Sequence, residues 1–273
     1  MGIKLIALDL DGTLLTSDKQ LTPVVKAALE SCIQKGIHVV LATGRMHAGI
    51  PAVLKNMPGI RYIIAANGAV IEDIKEKRVL ARKSILWRDA LQILDKFRHL
   101  PVMYDAQIAG IGKIEHRFLQ NLETYVSDPA IRQMIRETRE GISDLRSYIE
   151  EQQNDVDKFN ITFRDEVARA QVRKELQRFK DIQITSSLSN NLELNCMEAT
   201  KGNGLAFLTD YLQLNRPETM ACGDAENDES MIKQAGIGVV MRNASLYMKG
   251  AADFVTDSND DNGVAVAIER FVL

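Results

Sequence analysis

The chain reads as an α/β protein, a doubly wound parallel sheet carrying a second, inserted α+β domain. Three observations predict this. Apolar, β-branched strands alternate with amphipathic helices near both ends, which implies parallel strands with right-handed crossovers. The middle of the chain alternates helices with strands that are apolar on one face only. And 273 residues is close to the length at which one core stops growing and a chain divides.

The first strand is the start of "IKLIALDLDGTL", residues 3–8, apolar enough to be buried on both faces. "TPVVKAALESCIQKG" follows as a helix, with Thr22 as N-cap, Pro23 at the first helical position and Gly36 as C-cap. "IHVVLATG" is a second strand, and "RYIIAANGAVI" a third that continues into a hairpin through residues 71–79. "EDIKEKRVLARK" is the solvated part of that hairpin. From about Ser84 to Asn195 the pattern changes: "LWRDALQILDKF" and "DEVARAQVRKELQRF" are amphipathic helices, while "KFNITF" and "DIQITSS" are strands with one solvated face. The first pattern then returns: "KGNGLAFLTDYLQL" is a helix, "ETMACGD" a strand and loop, "NDESMIKQAG" a helix, "IGVVM" a strand and "GVAVAIERFVL" a closing helix. The expected division is 1–83 and 196–273 for the core and 84–195 for the insertion.

Composition narrows the function. With 34 Lys+Arg against 37 Asp+Glu and a formal net charge of -3, no basic surface for nucleic acid is expected. No apolar run approaches the roughly 18 residues of a membrane span. "MGIKLIAL" reads as a strand and not a signal peptide, since an aspartate arrives at position 9, and position 6 lacks the Ser or Thr of a myristoylation signal. Cys32, Cys196 and Cys222 lack metal spacing and read as reduced thiols of a cytoplasmic protein. His38, His47, His99 and His116 are too scattered for a zinc site.

In an open parallel sheet, ligands bind outside the carboxyl ends of the strands. There the first strand delivers Asp9 and Asp11, the second Thr43 and Gly44, and the strand at 218–222 delivers Asp224, Asn227 and Asp228. Taken singly, each has an ordinary explanation as a turn former or helix cap. Four carboxylates at one crevice do not, because like charges at short range oppose folding. A hard divalent cation removes the conflict, and oxygen-only ligands with few carboxylates suit Mg²⁺. Mg²⁺ on carboxylates handles phosphate, and the Thr43 hydroxyl with the backbone N–H groups around Leu10, Gly12 and Gly44 fits that anion. Lys201, at the start of the returning helix, reads equally as a solvated surface charge and as the lysine that balances the phosphate.

"DLDGTL", "ATGR", "TKGNGL" and "GDAENDESM" resemble, in order and spacing, the four motifs of the haloacid dehalogenase superfamily of phosphohydrolases. The insertion between the second and third motifs looks like the type 2 (C2B) cap of the Cof-like subfamily, and "NGAVI" and "GVVMRNA" are also similar to that group, which includes sugar phosphatases. The resemblance implies a Rossmann-like core in which Asp9 is the nucleophile and Asp11 the general acid/base. Mg²⁺ would be held by the carboxylates of Asp9 and Asp224 and the main-chain carbonyl of Asp11, with Asp228 in support. Leu10, Thr43, Gly44, Lys201 and Asn227 would bind phosphate. In the third motif Ala199-Thr200 stand where the family often has Val-Ser, leaving the lysine intact.

An Asp at position 11, where ion-pumping relatives carry Thr, implies turnover to free phosphate. The expected substrate is a small phosphorylated metabolite, foremost a sugar phosphate, with no nucleic-acid or membrane partner, acted on by a monomer or weak homodimer. Alternatives are a phosphomutase of the phosphomannomutase type, or a phosphatase of pyridoxal phosphate or flavin mononucleotide. A receiver-type signalling domain fits poorly, being about half this length, and a nucleotide-binding module would need a glycine-rich loop that is missing. Specificity is expected in the cap, where Tyr104, Lys113, His116 and Arg117 are substrate-facing candidates, although an ordinary strand and helix face explains each of them as well.

Overall fold

The structure, a computed structural model, describes residues 2–273. They fall into two compact units: the first takes residues up to Gly44, Ile50–Ala81 and Thr200–Leu273, the second Arg45–Gly49 and Arg82–Ala199.

The first unit opens with β1 (Leu5–Leu8), α1 (Pro23–Gln34), β2 (His38–Ala42), α2 (Ala52–Lys55), β3 (Tyr62–Ala65), β4 (Val70–Asp73) and β5 (Arg78–Arg82). All four residues of β1 are buried. Helix α1 begins as its sequence dictates: the Thr22 hydroxyl accepts from the Val25 N–H at 3.2 Å, Pro23 takes the first turn, and Gly36 leaves it at φ +76°.

The second unit follows with α3 (Trp87–Leu94), β6 (Met103–Ile108), β7 (Ile111–Glu115), α4 (His116–Leu119), α5 (Pro129–Thr138), β8 (Arg139–Ile142), α6 (Leu145–Gln152), β9 (Val156–Thr162), α7 (Glu166–Leu176), β10 (Ile182–Thr185) and β11 (Asn191–Cys196). The first unit then resumes with α8 (Lys201–Tyr211), β12 (Thr219–Gly223), α9 (Glu229–Gln234), β13 (Ile237–Val240), α10 (Leu246–Lys249), β14 (Phe254–Val255) and α11 (Gly263–Phe271). Among the described residues, no helix is long and apolar enough to cross a membrane.

The first unit's sheet runs β14-β13-β12-β1-β2-β3-β4-β5. Strands β14 through β3 pair in parallel, and β4 returns antiparallel to β3. Register matters here: Leu8 stands opposite Cys222 on one side and Leu41 on the other. The segments that follow β1, β2 and β12 therefore leave the sheet together, at one edge.

One expectation about this sheet changes. The third strand does not run to Ile71. It ends at Ala65, because Ala66, Asn67 and Gly68 take φ of +47°, +60° and +101° and reverse the chain. The compact units divide at Ala81/Arg82 and Ala199/Thr200, within a few residues of the expected 83/84 and 195/196. Arg82 and Ser84 bond Asp157 at 2.9 and 2.6 Å, and Lys83 pairs with Glu198 at 2.5 Å, so these side chains tie both crossings into the second unit.

The second unit's sheet runs β10-β11-β9-β6-β7-β8, antiparallel except for the β7–β8 pair. Its strands were expected to have one solvated face. Instead Asp105, Gln107, Lys158 and Glu193 are buried, and most of their polar groups bond to neighbours: Arg139 Nε and Asn160 Nδ2 donate to Asp105 at 3.0 and 3.2 Å, and Lys158 meets Glu193 at 3.1 Å. Three of the four substrate-facing candidates are likewise held within this unit. Tyr104 Oη donates to Glu115 at 2.9 Å, Arg117 Nε bonds Glu115 at 2.6 Å, and Lys113 pairs with Glu140 at 2.7 Å. His116 opens α4, and a Cβ at Gly141 would lie 2.5 Å from its ring.

Candidate active site

Asp9 directly follows β1, and its N–H continues the ladder to Cys222 O at 3.0 Å. The chain then turns tightly: Leu14 N–H donates to Asp9 O at 3.2 Å and Leu15 N–H to Leu10 O at 2.9 Å. Gly12 is required at the turn for two reasons. Its φ is +83°, a left-handed value that a side chain disfavours, and a Cβ there would sit 2.4 Å from Asp224 Oδ2. That glycine brings the loop after β1 against the loop after β12, and Thr13 Oγ1 then donates to Asp224 Oδ1 at 2.7 Å.

Three carboxylates meet there. Asp9, Asp224 and Asp228 each offer an oxygen, all within 4.8 Å of one another. Lys201, with 0% of its surface exposed, lies between two of them, its Nζ 2.5 Å from both Asp9 Oδ1 and Asp228 Oδ1. The lysine sequence alone left undecided is thus no surface charge. It arrives there because Thr200 caps α8 on the Asn203 N–H at 3.0 Å, and because Gly202 packs where a Cβ would collide with the Ser230 carbonyl at 2.5 Å. Asp228 is the most committed acid: Oδ1 takes Lys201, and Oδ2 accepts the Asp224 and Ala225 N–H groups, both at 2.9 Å.

The electrostatics are unbalanced. Burial raises Asp9 well above the ordinary carboxylate range, Asp228 adds to the rise, and Lys201 pulls it back. Burial first and Asp228 second push Asp224 up to about 7, against the Thr13 hydroxyl bond. Burial works against the charge on Lys201, but Asp228 and Asp9 outweigh it and raise its pKa. One cation faces three carboxylates, so a second positive charge would be stabilised here. An all-oxygen donor set of this size fits Mg²⁺.

Thr43 is buried at the end of β2, with its N–H on Ile64 O at 2.8 Å and its carbonyl accepting from Asn67 N–H at 3.0 Å. Asn227 is buried in the 3-10 turn Glu226–Asp228, and its Nδ2 donates to Asn67 Oδ1 at 3.1 Å. Asp11 is half-buried and pairs with Lys19 at 2.9 Å. Leu10 is buried in the turn after β1 and Gly44 follows Thr43.

Three side chains in this arrangement escaped sequence reasoning: Thr13, Lys19 and Asn67. "DLDGTL" carried Thr13 and "NGAVI" carried Asn67. The partners of Thr13 and Asn67 are 211 and 160 residues away along the chain, and only the folded sheet brings such residues together; Lys19 meets Asp11 across the loop that follows β1.

The chain matches the model of the haloacid dehalogenase-like hydrolases over residues 6–268. It is 32% identical over 274 residues to the 5-amino-6-(5-phospho-D-ribitylamino)uracil phosphatase YcsE of Bacillus subtilis, covering 100% of this chain and 97% of that protein. It is 32% identical to the phosphatase YwpJ of the same organism, over 96% of this chain and 98% of that one. A solved haloacid dehalogenase-like hydrolase from B. subtilis superposes with a TM-score of 0.88 at 30% identity, covering 99% of this chain and 100% of that chain. Agreement of this extent, running through both units, means that the chain belongs to the haloacid dehalogenase-like hydrolase family and is a phosphatase.

Proposed function

We propose that the protein is a Mg²⁺-dependent phosphomonoester hydrolase that works through an aspartyl-phosphate on Asp9. The observation that carries this is the buried Asp9–Lys201–Asp228 chain beside Asp224, one cation among three acids at the end of a central strand. A carboxylate attacks phosphorus without a separate base. Asp9 forms the new O–P bond as the ester O–P bond breaks, and Asp11 protonates the leaving alkoxide. Asp11 then takes a proton from water, which attacks the phosphorus of the aspartyl-phosphate, releasing inorganic phosphate and regenerating Asp9. Thr43, Gly44, Lys201, Asn227 and the Leu10 amide stabilise charge on the transferring group.

Mg²⁺, held by the carboxylates of Asp9 and Asp224 and the Asp11 carbonyl, would supply positive charge against the phosphate oxygens. Asp228 supports the site from behind, since Lys201 and two backbone N–H groups already engage its oxygens.

The substrate is a small phosphorylated metabolite, and we favour a sugar or sugar-alcohol phosphate. The B. subtilis relative whose name specifies a phosphoribityl compound supports that class. The test is a panel of phosphorylated metabolites with Mg²⁺, reading free phosphate. Release of phosphate from sugar phosphates is expected. An isomeric product with little free phosphate would replace hydrolysis by mutase chemistry, and preference for pyridoxal phosphate or flavin mononucleotide would replace the substrate class.

A further inference from the structure

The turn after β3 is unusual for a buried segment. Ala66, Asn67 and Gly68 have successive φ of +47°, +60° and +101°, and all three are buried. L-residues other than Asn and Asp disfavour this region, and such conformations persist only where the surroundings over-determine them. Here three partners do so. Asn67 N–H donates to Thr43 O at 3.0 Å, Asn67 Oδ1 accepts from Asn227 Nδ2 at 3.1 Å, and Gly68 lies so close to Thr200 that a Cβ would stand 2.1 Å from its carbonyl oxygen. One turn thus touches the three segments that deliver Thr43, Lys201 and Asn227.

Asn227 depends on this turn for its orientation. Among the described residues its carboxamide makes no other hydrogen bond, and its Oδ1 is buried without a partner. An amide rotates freely about its last torsion unless something fixes it. With one Nδ2 hydrogen engaged by Asn67, the second hydrogen and Oδ1 are held in place for a ligand. Position 67 needs a residue that tolerates a left-handed backbone and also presents an acceptor. Glycine meets only the first requirement. Aspartate meets both, but adds a fourth acid to a unit whose buried cluster already holds three.

We propose that Asn67 is a positioning residue of the phosphate site, which aims the Asn227 carboxamide at the phosphoryl group and couples it to Thr43 and Lys201. This rests on the reading of Asn227 as a phosphate-binding side chain. The test uses p-nitrophenyl phosphate as substrate and inorganic phosphate as competitive inhibitor, on the full chain with Mg²⁺. Asn67→Gly keeps the backbone conformation and removes the acceptor. It is expected to lower kcat/KM by about 10- to 100-fold and to weaken phosphate inhibition about as much as Asn227→Ala does, with little change in Tm.

Because the residue acts through Asn227, the double variant should be no worse than Asn227→Ala alone. A lower Tm with unchanged kinetics in Asn67→Gly would make the turn purely structural and overturn the proposal. So would fully additive losses in the double variant. Normal kinetics in Asn67→Gly beside impaired Asn227→Ala overturns the proposal alone, whereas normal kinetics in Asn227→Ala removes the phosphate role of Asn227 and the proposal with it.

Discussion

Both units bury charge, but they do so differently. In the second unit Lys158 faces Glu193, Arg139 faces Asp105, and Glu115 accepts from Tyr104, Arg117 and the Leu145 N–H, so each buried carboxylate has donors around it. In the first unit Asp73 and Glu218 are paired in the same way, with Arg61 and Lys4, each at 2.6 Å, but Asp9, Asp224 and Asp228 share a single lysine. Burial of charge alone therefore does not mark a site, because structural networks bury charge too. What marks one is an imbalance that the chain leaves unresolved, and here it coincides with carboxyl groups whose pKa values burial and mutual repulsion raise.

The comparison breaks most visibly at Asp9. Asp9→Asn keeps the shape and removes the nucleophile, so turnover should fall by about 10⁴-fold or more, while Tm holds or rises because one of three crowded charges is gone. A variant that kept wild-type turnover would refute the nucleophile. Asp11→Asn should cost about 10²- to 10⁴-fold, the usual worth of acid/base help, and rapid-quench measurement should find both formation and breakdown of the phospho-enzyme slowed.

In the second unit the expected loss is of stability and not of chemistry. Glu193→Gln removes the carboxylate that the buried Lys158 meets at 3.1 Å, the two side chains being 6% and 5% exposed. Breaking a buried pair costs about 3–5 kcal/mol, and the low end is expected here because the Ser187 hydroxyl also donates to Glu193 at 2.9 Å. Urea unfolding should show a lower midpoint at unchanged slope. If Glu193→Gln were as stable as wild type, the second unit's pairs would be no more self-sufficient than the first unit's cluster.

The same contrast explains what was legible from sequence. The parallel sheet, the Thr22 cap and the convergence of Asp9, Thr43 and Asp224 follow from local pattern and the right-handed crossover, which are properties of short segments. Asn-Gly at 67–68 reads as part of a strand leading to a hairpin and, within "NGAVI", as a likeness to the family, but nothing local shows that a turn will be buried against residues 43, 200 and 227. The polar face of the second sheet reads as solvated because its strands alternate polar and apolar residues; that pattern shows which groups share a face, not whether they meet water or each other. Lys201 stood undecided for a related reason: a lysine's burial is decided by the acids around it, and those come from distant strands.

The smallest expected effect tests the imbalance itself. Asp224 has an ordinary pKa of 3.8 and a folded value of about 7, so between those pH values the folded metal-free protein holds a proton that the unfolded chain has released. Stability must then fall as pH rises through that window, since the native state binds more protons, and Asp9, raised in the same direction, adds to the slope. A cation competes with that proton for the same oxygens. Mg²⁺ should therefore raise Tm little near pH 5 and most above pH 7, where a hundredfold excess over Kd stabilises by about 2.7 kcal/mol, a shift of several degrees for a chain of this size. Glu193→Gln should leave that increment unchanged and Asp224→Asn should abolish it. If the Mg²⁺ increment were independent of pH, the cation would be bound by groups other than these crowded acids, and the contrast between the two units would lose its functional meaning.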